Sequence, residues 1–273
     1  MKTALVTGAA SGIGFAVSRG LYSLGWRVLM VDKTLEECRR AAEDVASFSG
    51  GEVLPFGCDL ADLAALSDCI PDIKAILDKH CNGQLDALIA NAGAFYTGVS
   101  ACKAHLNLHC LSPMLMIDHL MPMLVKASGR IIFTGCSALP YYKQQDPTCL
   151  FKGDMGSLRS YALSKTGAAQ LCFALKNECA NISFYVADPG LVYSDLFLRN
   201  TRGFARKALR LVRRFGISSG KAASTALCLC QSQFPEEGFY YKNRKEAPVS
   251  TLPFTLKKAQ SFLCLCREHI RNS

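Results

Sequence analysis

Three glycines that follow a short apolar strand near the start of the chain constrain its fold more than any other feature. The apolar residues 4–6 lead directly into a turn with a helical pattern behind it. The turn residues are Gly8, Ser11, Gly12, Ile13 and Gly14. Glycine lets the backbone bend sharply, and the free N–H groups in the first turn of a helix attract phosphate. The turn therefore predicts a dinucleotide site, although such turns also arise for packing.

Short apolar runs alternate with helical patterns along most of the chain. The predicted strands are 4–6, 27–31, 52–56, 87–89, 130–134, 183–186 and 238–241. This alternation predicts an α/β fold with a single doubly wound parallel sheet of about seven strands and helices on both faces. Right-handed crossovers bring the carboxyl ends of the strands to one edge, so polar residues just after the strands are candidates for a site.

The chain is expected to form one domain over residues 1–273, because no linker rich in Pro, Gly or Ser divides it. Two stretches fall outside the strand and helix pattern: 139–159, a predicted substrate loop, and 193–220, a predicted lid. The longest apolar run, 106–125, is interrupted by polar residues and prolines, which indicates a buried or interface helix rather than a membrane span. Because the glycine turn lies so near the start, we expect no removable signal peptide and a cytosolic location.

Cysteine is abundant, with 14 residues, but the cysteines are scattered through predicted strands and helices. Without a sign of export, free and mostly buried thiols are the better interpretation. The pairs Cys228/Cys230 and Cys264/Cys266 lack a matching His or Cys-x-x-Cys partner, so no metal site is expected.

The formal charge of +9 is concentrated in one segment. Residues 199–221 contain eight basic and no acidic residues, and residues 202–215 place apolar side chains on one helical face and arginines on the other. The family that the motifs described below resemble has a substrate lid at this place in the chain, and this resemblance implies that the apolar face closes over the site. Three alternatives stay open: an arginine that holds an acidic substrate, peripheral contact with an anionic membrane, and a solvated face. Nucleic-acid binding is not expected, since no aromatic stacking positions accompany the charge.

Acidic residues follow the second and third predicted strands. Asp32 is placed where a carboxylate can accept both ribose hydroxyls of an adenosine and repel a 2′-phosphate, which favours NAD over NADP. Lys33 could instead pair with a 2′-phosphate, so NADP stays open. Asp59, followed by Leu60, could bond the adenine amino group. Each aspartate could alternatively cap the helix that follows it.

Small residues follow the fourth strand. Asn91, Ala92 and Gly93 would let the backbone lie against a cofactor, and Asn91 could tie neighbouring strands together. A plain turn is the alternative.

A tyrosine and a lysine four residues apart are the strongest local signal after the glycines. Tyr161 and Lys165 share one face of a predicted helix, 160–179. An ammonium beside a phenol stabilises the phenolate, which can bring a tyrosine into range as a general base. Such a pair also occurs by chance on exposed helices.

Taken together, these motifs resemble one family. They are Thr7-Gly-x-x-x-Gly-x-Gly14, Asn91-Ala-Gly93, Tyr161-x-x-x-Lys165 and Pro189-Gly190. Their order and spacing resemble those of the short-chain dehydrogenase/reductase family over nearly the whole chain. The resemblance implies a single Rossmann-type domain that binds NAD or NADP. It also implies a homodimer or homotetramer formed through helices around 106–125 and 162–175.

The resemblance also implies roles for single residues. Tyr161 matches the proton donor and acceptor, and Lys165 matches the residue that lowers its pKa and holds the nicotinamide ribose. Ser137 would hydrogen-bond the substrate oxygen. Asn107 matches a helix asparagine that completes a proton relay, although a buried Asn can merely satisfy a backbone group. The segment that binds the nicotinamide carboxamide would contain Pro189, Gly190, Val192 and Ser194.

The long interval between Ser137 and Tyr161, with the segment 238–248, is loosely similar to the retinol-dehydrogenase-like and protochlorophyllide-reductase-like branches. This likeness implies hydride transfer between a nicotinamide and a small apolar alcohol, aldehyde or ketone. Two other functions stay open: a non-catalytic NAD(P)-binding regulatory or scaffold protein, and a non-redox reaction at the same site. The presence of Ser137, Tyr161, Lys165 and Asn107 together favours the enzyme.

Overall fold

An eight-stranded sheet forms the centre of the computed structural model, which describes residues 1–47, 49–136, 146–190, 192, 216–231, 238–247 and 254–272. The strand order is β3-β2-β1-β4-β5-β6-β7-β8, and every neighbouring pair is parallel except the antiparallel pair β7 and β8. The strands are β1 Thr3–Thr7, β2 Arg27–Asp32, β3 Glu52–Gly57, β4 Ala87–Ala90, β5 Arg130–Thr134, β6 Ser183–Asp188, β7 Tyr240–Lys242 and β8 Lys245–Ala247.

Helices cover both faces of the sheet. They are α1 Gly12–Ser23, α2 Leu35–Ala46, α3 Leu63–Cys81, α4 Ala101–Leu106, α5 Ser112–Lys126, α6 Ser157–Glu178, α7 Ser219–Cys230 and α8 Leu256–Arg271. A π-helical turn, Asn107–Leu111, joins α4 to α5, and a 3₁₀ turn, Pro147–Lys152, precedes α6. The predicted α/β class and doubly wound sheet are confirmed.

Alternation along the strands divides the core into two layers. In β1, Leu5 packs with α3, α5, α6 and α8 on one face, whereas Ala4 and Val6 pack with α1, α2 and α7 on the other. Successive side chains of a strand point to opposite faces, so each strand contributes to both layers.

The helices that follow β2 and β3 start where a side-chain oxygen accepts free N–H groups of the first turn. Thr34 caps α2 by accepting from the N–H of Glu37, and Asp62 caps α3 by accepting from the N–H groups of Ala64 and Ala65. These caps set the ends of the loops that follow β2 and β3, where the candidate cofactor residues lie.

The apolar run 106–125 is a core helix, as predicted. The stretch Ala101–Lys126 is the one helical stretch among the described residues that is long and apolar enough to cross a membrane, and 72% of its apolar window is buried inside the protein. All 14 cysteines lie in the described part of the chain and are free thiols, and eight are buried. This agrees with the prediction made from their scatter.

Candidate active site

The glycine turn depends on close backbone approaches. A Cβ on Gly14 would lie 2.1 Å from the carbonyl oxygen of Gly8, and a Cβ on Gly8 would lie 2.8 Å from the Cα of Ala92. Gly12 has a φ of +59°, a left-handed conformation that favours glycine. Apart from its chain neighbours and the backbone of its own helix, no described atom lies within 4 Å of where a Cβ on Gly12 would stand. The turn therefore forms an open cradle at the start of α1 that fits a phosphate group.

Two further residues of this turn have distinct positions. Ser11 is exposed immediately before the first turn of α1, and Ile13 packs against the core layer on that side of the sheet.

Asn91 joins three strands at this edge. Its Nδ2 donates to the carbonyl oxygen of Thr7 at 2.9 Å, and its Oδ1 accepts from the hydroxyl of Thr134 at 3.1 Å. The Thr7 hydroxyl in turn accepts from the N–H groups of Asn91 and Ala92, both at 2.9 Å. The predicted tie between strands is present, and it is more than a plain turn.

Asp32 faces the glycine turn rather than the helix behind it. Its Oδ2 accepts from the N–H of Ala10 at 2.7 Å, and its Oδ1 accepts from the N–H of Lys33 at 2.7 Å. Because Thr34 caps α2, the alternative in which Asp32 is the helix cap is wrong. The carboxylate thus lies beside the cradle at the end of β2.

Lys33 pairs with Asp59 across the ends of β2 and β3. The Lys33 Nζ lies 2.9 Å from Asp59 Oδ2, and this hydrogen bond raises the pKa of Lys33. Asp59 also accepts from the N–H of Ala61 at 3.0 Å, but Asp62 caps α3, so Asp59 is not the helix cap. The next residue, Leu60, is buried.

Tyr161 and Lys165 lie one turn apart on α6 and are 7% and 6% exposed. The Lys165 Nζ donates to the carbonyl oxygen of Thr134, at the end of β5, over 3.4 Å. The Tyr161 ring meets Phe95 edge-on, with centroids 5.8 Å apart. The structure therefore brings the predicted pair to the same strand edge as the glycine turn.

The electrostatics of this pair differ from the sequence expectation. Burial raises the pKa of Tyr161, and the neighbouring Cys136 thiol acts in the same direction. Burial also lowers the pKa of Lys165. In the protein alone, desolvation therefore outweighs any lowering of the Tyr161 pKa by the Lys165 ammonium.

The segment after β6 is held by a buried carboxylate. Asp188 accepts from the N–H of Gly190 at 2.8 Å and from the hydroxyl of Tyr240 at 2.7 Å. This fixes the bend at Pro189 and Gly190 towards the strand edge. Val192 forms an isolated parallel bridge with Ile217.

Several predicted positions lie outside the described residues. They are Ser137, Ser194, residues 139–145 of the substrate loop, and 193–215 of the lid with its amphipathic segment. Their predicted roles stay predictions.

Among the described residues, the Asn107 side chain hydrogen-bonds to the backbone rather than to Tyr161 or Lys165. Its Nδ2 donates to the carbonyl oxygen of Ala61 at 2.9 Å, on the β3 side of the sheet edge, and its Oδ1 has no partner among the described residues. The geometry therefore supports the alternative, in which Asn107 satisfies a neighbouring backbone group.

Two buried histidines lie beside the Tyr161 ring. His105 and His109 stack with centroids 5.8 Å apart and an interplanar angle of 13°. Each meets the Tyr161 ring edge-on, at 5.6 and 5.4 Å. In the sequence, His109 reads only as an interruption of an apolar run. The signal that could have found it is the matching four-residue spacing of His105 and His109 on one helix and of Ser160 and Ser164 on another.

His105 is fully bonded. Its Nε2 accepts from the N–H of Tyr96 at 2.9 Å, and its Nδ1 lies 2.8 Å from the Ser160 hydroxyl, which donates to the carbonyl of Ser157 at 3.0 Å. The Nδ1 therefore carries the proton. Burial, with the charge of Lys165, lowers the His105 pKa to about 4, so the ring is neutral near pH 7.

His109 repeats this arrangement one turn later. Its Nδ1 lies 2.7 Å from the Ser164 hydroxyl, which donates to the carbonyl of Tyr161 at 2.8 Å, so Nδ1 again carries the proton. Burial and the nearby Lys165 ammonium lower the pKa of His109. The ring is neutral, with a lone pair on Nε2.

Sequence comparison identifies the family. The family model for short chain dehydrogenase matches residues 2–203. Dehydrogenase/reductase SDR family member 13 from Homo sapiens is 30% identical over 258 residues, which cover 89% of this chain and 66% of that protein. The protein of the same name from Bos taurus is 31% identical with the same coverage. The chain thus spans just under two thirds of the length of these relatives.

Solved structures agree on the fold. A short chain dehydrogenase/reductase from Saccharomyces cerevisiae superposes with a TM-score of 0.71 at 21% identity, covering 93% of this chain and 100% of the other. An alcohol dehydrogenase from Thermococcus sibiricus, complexed with 5-hydroxy-NADP, gives 0.67 at 18% identity, covering 89% and 94%. With the family match over residues 2–203, we conclude that the chain belongs to the short-chain dehydrogenase family.

Proposed function

We propose that the protein is an NAD(P)-dependent oxidoreductase that moves a hydride between nicotinamide and a carbonyl or alcohol carbon of a small apolar molecule. The observation that carries this proposal is the buried pair Tyr161 and Lys165, which lies at the strand edge that also holds the glycine cradle. Membership of the short-chain dehydrogenase family supports it, as does the similarity to dehydrogenase/reductase SDR family member 13.

A nicotinamide dinucleotide suits the residues along this edge. The cradle at 8–14 would hold the pyrophosphate, Asp32 the adenosine ribose and Lys165 the nicotinamide ribose. Asp59, Asn91 and the bend at Pro189 and Gly190 would line the rest of the site. When bound, the cofactor supplies or accepts the hydride.

Tyr161 would move the proton. Because burial raises its pKa, the phenol is protonated near neutral pH and can donate to a carbonyl oxygen in the reductive direction. The Lys165 ammonium would stabilise the phenolate left behind. Ser137, just after β5 in the sequence, would orient the substrate oxygen.

An apolar substrate is favoured by the side chain next to the tyrosine. Phe95 is half-buried and its ring lies 5.8 Å from that of Tyr161. A substrate carbon held near the Tyr161 phenol would therefore contact the Phe95 ring.

NAD is favoured over NADP by the pairing of Lys33. The Asp32 carboxylate faces the cradle, while the ammonium that could neutralise a 2′-phosphate is held by Asp59 at 2.9 Å. A 2′-phosphate would therefore meet a carboxylate before it met a free cation.

The test is nicotinamide absorbance with NADH and NADPH against a panel of apolar aldehydes, ketones and steroids. Tyr161→Phe is expected to lower turnover by at least about 100-fold, because it removes the proton donor. Tyr185→Phe, a buried tyrosine on the opposite face of the sheet, is the matched control and is expected to keep activity. Tight NADH binding without turnover across the panel would favour the regulatory or scaffold function instead.

The cofactor arm of this experiment uses Asp59→Asn. Releasing Lys33 from its ion pair is expected to lower the KM for NADPH several-fold relative to the KM for NADH, since any contact of residue 59 with the adenine is common to both cofactors. Equal KM values for NADPH in the variant and the wild type would contradict the assignment of the Lys33 and Asp59 pair.

A further inference from the structure

One buried polar atom beside the tyrosine lacks a hydrogen-bond partner among the described residues. It is Nε2 of His109, on a side chain that is 3% exposed. The hydrogen bond from Nδ1 to Ser164 fixes the ring and leaves Nε2 as an acceptor. A buried acceptor without a donor is costly, so its surroundings call for an explanation.

His105, one helical turn earlier, has a hydrogen-bond partner at both ring nitrogens. The two rings stack, both bond a serine of α6 through Nδ1, and both touch Tyr161. They differ at Nε2, where His105 accepts from the N–H of Tyr96 at 2.9 Å. The two histidines therefore differ in the partner of Nε2, and the Nε2 of His109 lies on the side of the ring towards Lys165.

The Lys165 ammonium has more N–H donors than the described residues offer it acceptors. An ammonium has three N–H groups, and the hydrogen bond found for Lys165 among the described residues is a long one to Thr134, at 3.4 Å. The side chain is 6% exposed, so the remaining donors have little access to water. A buried ammonium needs acceptors if it is to stay charged.

Donor and acceptor face the same space. A Cβ on Gly93 would lie 3.4 Å from Lys165 Nζ and 3.5 Å from His109 Nε2, so both nitrogens converge in front of this glycine. Both residues also line one small cavity with Thr134, which is about large enough for one water molecule. Room therefore exists for a contact that is direct or bridged by one water.

We propose that His109 is a positioning residue whose neutral Nε2 accepts a hydrogen bond from the Lys165 ammonium, directly or through one water. This inference rests on the proposed function, in which Lys165 acts on Tyr161. The contact would keep Lys165 protonated and hold its charge next to the phenol.

A neutral acceptor suits this task better than a carboxylate. A carboxylate would cancel the positive charge that Tyr161 needs, whereas an imidazole lone pair stabilises the ammonium and leaves its charge in place. The groups that face this cluster are Lys165 and Tyr161 on α6, His105 on α4, Cys110 in the π-helical turn and Cys136 after β5.

The first measurement needs no substrate. In ¹⁵N NMR spectra of the histidine side chains, His109 is expected to show the Nδ1–H tautomer with Nε2 accepting a hydrogen bond. Lys165→Met is expected to move the Nε2 resonance of His109 downfield and to leave that of His105 unchanged. An Nε2–H tautomer at His109, or no movement in Lys165→Met, would overturn the inference even if the oxidoreductase activity were established.

The second measurement compares three variants by turnover against pH. His109→Leu removes the acceptor and is expected to lower kcat about tenfold with little change in substrate KM. It is also expected to move the basic limb of the profile to lower pH, since Lys165 loses its proton more readily. His109→Gln keeps a neutral acceptor. It is expected to restore most of kcat and to return the basic limb most of the way to its wild-type pH.

His105→Leu is the matched control. It removes an equally buried ring with the same kind of serine partner, so it is expected to lower stability without moving the basic limb. A basic limb that stays in place in His109→Leu, or that moves equally in the Leu and Gln variants, would contradict the inference. If no substrate is found at all, the proposed function fails while the NMR experiment still decides the contact.

Discussion

At the scale of single residues, the two buried histidines make the fold sensitive to acid. The His105 pKa falls from 6.5 to about 4 on folding, and that of His109 falls as well. Each is therefore protonated more readily in the unfolded chain. Their contribution to stability is present above about pH 6.5 and is lost as the pH falls towards 4.

For His105 alone this loss amounts to about 3 kcal/mol, at 1.36 kcal/mol for each unit of pKa. We predict a free energy of unfolding that drops steeply between pH 7 and pH 4.5, measured by urea denaturation. The drop is expected to be smaller in His105→Leu and unchanged in His119→Gln, because His119 is exposed on α5. An identical pH dependence in wild type and His105→Leu would contradict this account.

Motif spacing located many of the site residues and missed others. Asn91, Tyr161 and Lys165 meet at one edge because they follow strands or share a helix face, and those rules are local. Motif spacing did not identify His109, because Ser164 and Lys165, the residues it faces, are more than 50 residues away in the sequence. Asn107, only two positions before it, lies on another side of the same helical stretch and bonds elsewhere.

At the scale of elements, α8 packs on α6 through a position that only glycine fills. A Cβ on Gly167 would lie 2.7 Å from the ring of Phe262 and 3.1 Å from the sulfur of Cys110. The Phe262 ring is fully buried there and lies near Phe151 of the 3₁₀ turn. The small residue on α6 thus sets how closely α8 can approach.

A double-mutant cycle tests this contact. Gly167→Ala is expected to lower the free energy of unfolding by about 1–3 kcal/mol through overpacking, and Phe262→Ala by about 3–5 kcal/mol through the cavity it leaves. Together they should cost less than the sum of the single changes, since removing the ring makes room for the methyl group. Additive costs, measured by urea denaturation, would show that the two residues do not share this space.

The alternation of apolar runs predicted seven of the eight strands in their correct order along the chain. The eighth, Lys245–Ala247, has three residues, of which Lys245 and Glu246 are exposed, so no buried pattern marks it. The π-helical turn inside the helix predicted from the apolar run 106–125 could not be anticipated either, because its apolar residues fit an α-helix equally well. Both features depend on tertiary contacts.

At the scale of the whole molecule, α8 packs on α6, one of the helices through which the family resemblance implies a dimer or tetramer. Every residue of α6 from Ser160 to Cys172 is buried within the one chain. On α5, Asp118 and His119 are exposed. The expected interface of helices around 106–125 and 162–175 is thus covered on its α6 side.

We therefore predict a monomer, with a mass of 29.7 kDa by size-exclusion chromatography with light scattering. Phe262→Asp should detach α8 and expose the apolar face of α6, so that this variant associates. A stable wild-type dimer at low micromolar concentration would contradict the prediction. The cytosolic location and the membrane contact through 202–215 stay predictions.

Because α8 packs on α6 but is synthesised later, α6 leaves the ribosome before the helix that covers it is available. The helix that carries Tyr161 leaves the ribosome well before Phe262 and its neighbours do, and at ordinary translation rates the delay is on the order of ten seconds. During that time β1 to β5 and the glycine turn can assemble, while the Phe262 ring does not yet cover Gly167. The helix that carries Tyr161 therefore gains the support of α8 only after translation has passed Phe262, so the glycine turn can form before the tyrosine is held in place.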